Sequence, residues 1–256
     1  MLESLEQSNI KKMSVENPEH KDVIFDAAHD ITTEDWEKIK EQARIERGRE
    51  STSTSSYLHF VAMVKRINPK FEIEYKDSFP HIQYYYARLQ ESYKKNLTSP
   101  REIAYAKEIF PDLRIGHLEE YKQPWKDLIG NLRKNDYLTY AEAGPALLQL
   151  GLTKQDIGWD EHSYKWMEEG LNEYEERGDG ISYATVAAGM KLLEPEKEIA
   201  ISEEMKARMH LTLEDLKEQG GWTLFVRLAA YMNELNPKNQ GELNKSEQII
   251  PEQRSF

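Results

Sequence analysis

The chain has 256 residues, 34 Lys+Arg against 46 Asp+Glu for a formal net charge of −12, and no cysteine. Disulfides, thiolate nucleophiles and Cys-ligated zinc are therefore excluded, and the acidic balance argues against nucleic acid as a partner, because neutralising a phosphate backbone takes clustered Lys and Arg. No apolar run approaches the roughly 18 residues of a membrane span, so the expectation is no membrane partner and a cytoplasmic or other soluble intracellular location.

Residues 1–30 form a polar leader with 7 acidic and 3 basic side chains. Glu3, Glu6, Glu16 and Glu19 are unlike a mitochondrial-type presequence. Val23-Ile24-Phe25 is its one apolar cluster, so the leader reads either as disordered or as a cap on the helical region after it.

From residue 31 the chain comes into register with itself every 42 residues. Ile31, Ile73, Ile115, Ile157 and Ile199 form one column, and Ala62, Ala104, Ala146, Ala188 and Ala230 another. Pro69, Pro111, Thr153, Pro195 and Pro237 form a third. The units are 31–72, 73–114, 115–156, 157–198 and 199–240, followed by a polar tail at 241–256. Self-similarity at such a period marks a stacked supersecondary unit.

Each unit is predicted to be two helices with a break between them. First-helix stripes run through Phe79, Ile82, Tyr86, Leu89 and Tyr93 in the second unit. In the third they run through Leu118, Tyr121, Trp125, Leu128, Ile129 and Leu132, and in the fifth through Met205, Met209, Leu213 and Leu216. Breaks are expected at Gly48 with the Ser/Thr run 51–56, at 95–98, at Asn135-Asp136, at Gly178-Asp179-Gly180 and at Gly220-Gly221. Second helices are expected to start near Ser56, Ser99 and Ser182, whose hydroxyls can cap free amides. The alanine column reads as a close helix crossing, the proline column as a helix stop that Gly151 replaces in the third unit. Pro145 predicts a kink or a late start.

The fold class expected is all-α: an α-solenoid of five 42-residue antiparallel helix-pair repeats, curved around a shallow groove. In period it resembles armadillo and HEAT arrays, and in its two-helix plan tetratricopeptide arrays, as a superhelix of that general kind. Tetratricopeptide units are shorter, and armadillo units have three helices where these have room for two.

No cofactor or metal site is expected. Seven histidines lie at 20, 29, 59, 81, 117, 162 and 210 without metal-binding spacing. A twelve-residue EF-hand-like loop over Asn131–Glu142 places Arg133 and Tyr137 at ligand positions and Asp136 where glycine is needed, which disqualifies it for calcium. Partner-binding candidates are the aromatics off the apolar stripe, Tyr84, Tyr85 and Trp166, with Glu169 and Glu173 beside the last. The alternative for these rings is packing against a neighbouring unit. The unit 157–198, with 11 acidic and 4 basic side chains, suits a basic protein or peptide segment, or is a solvated face. The function expected is a non-catalytic protein-binding scaffold or adaptor that uses the groove. The alternatives are a structural subunit of a larger assembly, an enzyme with a Glu/His site between adjacent repeats (His117 and His162 being the histidines considered), and a degenerate EF-hand-like protein.

Overall fold

A computed structural model describes residues 31–48, 54–71, 98–110, 118–132 and 136–236, and among them there are nine helices and no strand. In chain order they are α1 (Thr33–Gly48), α2 (Thr54–Ile67), α3 (Thr98–Ile109), α4 (Leu118–Leu132), α5 (Tyr137–Gln149), α6 (Glu161–Arg177), α7 (Gly180–Leu193), α8 (Glu203–Glu218) and α9 (Trp222–Glu234). The protein is all-α, and no described helix is long and apolar enough to cross a membrane. The stripe expected at 79–93 and the columns at Ile73 and Ile115 lie outside the described residues.

Two kinds of helix separate into two layers. Outer helices bury one stripe: Tyr121, Trp125 and Ile129 on α4, Tyr164, Met167 and Leu171 on α6, Met205, Met209 and Leu213 on α8. Inner helices are buried nearly all round, α7 without interruption from Tyr183 to Met190. The five alanines of the invariant column are all buried, each on an inner helix.

The inner helices do not form the expected open row. α2 packs on α3, α3 on α5, α5 on α7 and α7 on α9, and α9 then packs on α2. The row closes on itself, and its concave side becomes an interior. Outside it, α1 covers α2 and α9, α4 covers α5, α6 covers α7, and α8 covers α7 and α9.

Local chemistry sets the ends. Asp136, Asp160, Asp179 and Ser202 cap α5 to α8 by accepting from backbone amides three residues on. The cap of α7 is thus Asp179, and Ser182 supplies the amide it accepts. Gly151 has φ +86° beyond α5 and does end that helix in place of the proline. α5 runs through Pro145 in one piece. Two kinds of link occur twice, the lysine link three 42-residue steps apart and the tyrosine link 43 residues apart. Tyr140 donates to the Ile157 carbonyl at 2.9 Å and Tyr183 to that of Ala200 at 3.5 Å, while Lys65 and Lys191 donate to the carbonyls of Pro69 and Pro195 at 3.3 and 2.5 Å.

Candidate functional site

Closing the row turns three sequence columns inward. One column reads His59, Arg101, Ala143, Thr185, Arg227; a turn later, Met63, Tyr105, Leu147, Gly189, Tyr231; a further turn on, Arg66, Glu108, Leu150, Leu192, Glu234. Spaced by four and then three residues, they share one helix face. The charged members come from α2, α3 and α9, and Glu142 of α5 joins them.

At the end where the inner helices begin, Glu142 is the hub, its side chain 8% exposed. It pairs with Arg101, accepts from Arg227 at 2.5 Å, and accepts from the Tyr231 hydroxyl at 3.0 Å. Burial alone would raise the Glu142 carboxyl, but Arg227 and Arg101 overcome it and hold the group below its ordinary range. At the opposite end Arg66 forks onto Glu108, Nε to Oε1 at 2.8 Å and the terminal nitrogen to Oε2 at 3.0 Å, with Glu234 at 3.9 Å from Nε. Burial, with Glu108 nearby, raises the Glu234 carboxyl against the pull of Arg66.

Between the two ends lie rings. His59 stacks on Tyr105, centroids 4.8 Å apart and planes 4° from parallel. Burial pushes the imidazole down to about 4; Glu142 opposes this and Arg227, Arg66 and Arg101 add to it. The Tyr105 hydroxyl is pushed up to about 12, chiefly by burial. His59 Nε2 and Arg227 Nε are buried without a hydrogen-bond partner. The cluster holds ion pairs away from water, where they are costly unless fully bonded.

The residues expected to bind a partner fall elsewhere. Tyr84 and Tyr85 lie outside the described residues, as do His117 and Arg133. Trp166 is half-buried, its ring 4.6 Å from Tyr137 and 5.7 Å from Tyr140, so packing against neighbouring aromatics is what holds it. Glu169 is exposed on α6, and Glu173, half-buried, pairs with Arg177. His162 is exposed. The EF-hand-like stretch is occupied otherwise: Asp136 caps α5, and both oxygens of Glu142 are taken by Arg101, Arg227 and Tyr231. Among the described residues no group of three or more His, Asp or Glu is placed to hold a metal ion.

Sequence reasoning missed the interior cluster although its signal was present. The columns at 59 and 66 carry charge on helices that are otherwise apolar, and charge within an apolar face marks a buried network.

No protein-family model, curated protein or solved structure matches this chain.

Proposed function

We propose that the protein is a helical-repeat scaffold or adaptor, closed into a ring, that binds a basic protein segment on its outside and carries out no reaction. One observation carries this reading. Interior charges are spent on one another, Arg101 and Arg227 on Glu142 and Arg66 on Glu108, whereas the outward ridge of α6 exposes Glu168, Glu169 and Glu176 beside Lys165, with Glu161 paired to Lys197 and Arg177 to Glu173. The five-unit sequence register supports the repeat description, since links such as Lys65 to Pro69 and Lys191 to Pro195 recur in step with it. Rim charge of this kind steers a partner of opposite sign and weakens with salt.

The test is fluorescence anisotropy with labelled basic peptides and acidic peptides of matched length, at low and raised salt. Basic peptides should bind, lose affinity as salt rises, and lose it again on the triple change Glu168→Lys, Glu169→Lys, Glu176→Lys. Equal binding of both peptides, or no effect of the triple change, overturns the assignment.

A second reading, catalysis by a Glu/His site between units, has one observation in its favour. His59 and Glu142 come from different units and interact, and both have shifted proton affinities. His59 Nε2 is sealed from solvent, however, and Glu142 is fully engaged.

A further inference from the structure

The ring is continuous in space but not in chain. α2 and α3, α3 and α5, α5 and α7, and α7 and α9 are successive inner helices joined through linking segments, whereas α2 and α9 belong to the first and last units. Only non-covalent contacts close that junction. Lys217 of α8 meets the buried Asp35 of α1 at 2.7 Å. Gln42 of α1 donates to the Thr223 hydroxyl at 3.3 Å, and Thr223 donates to the buried Glu46 at 3.2 Å. Asn233 of α9 donates to the Arg66 carbonyl at 2.9 Å, and Glu234 approaches Arg66 itself. By contrast, the α5–α7 junction is a backbone contact, with Gly189 against Ala141.

We propose that the ring opens and recloses at the junction of α1 and α2 with α8 and α9, and that His59 makes this junction an acid-sensitive latch. His59 sits where the junction meets α3 and α5. Facing it are Arg101 and Tyr105 from α3, Glu142 from α5, Arg227 and Tyr231 from α9 and Arg66 from its own helix, while α1 contributes Asp35 and Glu46 to the same junction. The imidazole is buried with Nε2 unbonded, so a proton on it is disfavoured in the closed ring by burial first; Glu142 opposes this, and the guanidiniums of Arg227, Arg66 and Arg101 add to it. Opening would hydrate the ring nitrogen and restore its ordinary affinity for a proton, so acid favours the open form. Glu234 acts in the opposite sense, because burial makes it take up a proton more readily when closed. Asp35 and Glu142, both held low, add to acid opening only nearer their own range.

The experiment is native-state hydrogen exchange on the full chain at pH 7 and pH 5, corrected for intrinsic rates, in wild type and His59→Gln. With His59 at about 4 when closed and at its ordinary value when open, acid should cut the protection of α1, α2 and α9 about twentyfold more in wild type than in the variant. Glu234 is present in both proteins, so its contribution cancels in that ratio. Protection of α5 and α7 should hold. Loss of α5 and α7 in step with α2 and α9, or the same acid response in both proteins, overturns the latch. If His59→Gln does not fold, the wild type decides alone: selective loss at α1, α2 and α9 supports the latch, and uniform loss or no loss overturns it.

Discussion

Gly189 of α7 lies against the backbone of Ala141 in α5, so closely that a methyl on Gly189 would stand 2.4 Å from the Ala141 carbonyl oxygen and 2.7 Å from its Cβ. That carbonyl is the one Pro145, four residues on, cannot donate to, for want of an N–H. Proline inside the helix and glycine on its neighbour thus belong to one device: the first leaves an acceptor without its helical donor, and the second brings a Cα–H surface up to it.

Gly189→Ala should therefore force the two helices apart and cost about 1–3 kcal/mol, as overpacking does. Gly130→Ala on α4 is the control. Its new methyl meets nothing within 4 Å, so the lower entropy of the unfolded chain should stabilise by roughly 0.5–1 kcal/mol. Urea midpoints moving in opposite directions are the expected outcome, and a neutral Gly189→Ala would show that the contact yields.

Trp166→Ala should act on stability. The ring packs on Tyr137 and Tyr140, and Tyr137 lies on Gly170, where a methyl would come within 2.7 Å of it. Truncation leaves that stack without one wall, at a cost of about 2–4 kcal/mol. An unchanged melting temperature would return Trp166 to the candidates for partner contact.

How far the fold could be read from sequence depends on which signals are local. Turn residues and 3.6-residue stripes are local, and they placed the helix breaks at Asp136, Gly178 and Gly220 and the buried faces of α4 and α8. Closure is not local. It depends on the angle accumulated over successive helix pairs, to which no single residue bears witness, so α2 meeting α9 was beyond reach. The off-stripe position of Trp166 was read correctly as geometry, but in a two-layer protein the flank of an outer helix is also buried. The interior cluster could have been found by asking which columns carry charge on otherwise apolar helices. His59, Arg66, Arg101 and Glu108 then stand out.

Calcium should not stabilise the protein more than magnesium does. Glu142, the residue that would close an EF-hand loop, is already bonded to two arginines and a tyrosine. A calcium-specific rise in melting temperature would mean that those bonds are exchanged for a metal ion.

Stability should fall with acid before ordinary carboxylates titrate. The His59 imidazole, ordinarily near 6.5, is held at about 4 in the fold. A depressed histidine stabilises fully above its unfolded value, and this stability is lost as pH falls from about 6.5 to about 4, a loss of about 3 kcal/mol. Depressed Asp35 and Glu142 extend the decline below about pH 4.5, while Glu234, raised, offsets part of it. Urea midpoints measured across this range should fall more steeply with acid in wild type than in His59→Gln; parallel curves would place His59 in contact with water.

Glu142→Gln should be among the most damaging single changes in the molecule. It removes the one negative charge that lies between Arg101 and Arg227 while leaving both guanidiniums half-buried around the same point. The Tyr231 hydroxyl keeps an acceptor, so hydrogen-bond loss is small, and nearly all of the cost is uncompensated charge. Breaking a buried pair in this way costs about 3–5 kcal/mol. Replacing the whole group at once, with Arg101→Met, Glu142→Met and Arg227→Met, removes the charges together with the penalty for burying them, and should recover most of that loss. If the triple variant is no more stable than Glu142→Gln, the cluster stabilises the ring through its geometry and not through balanced charge.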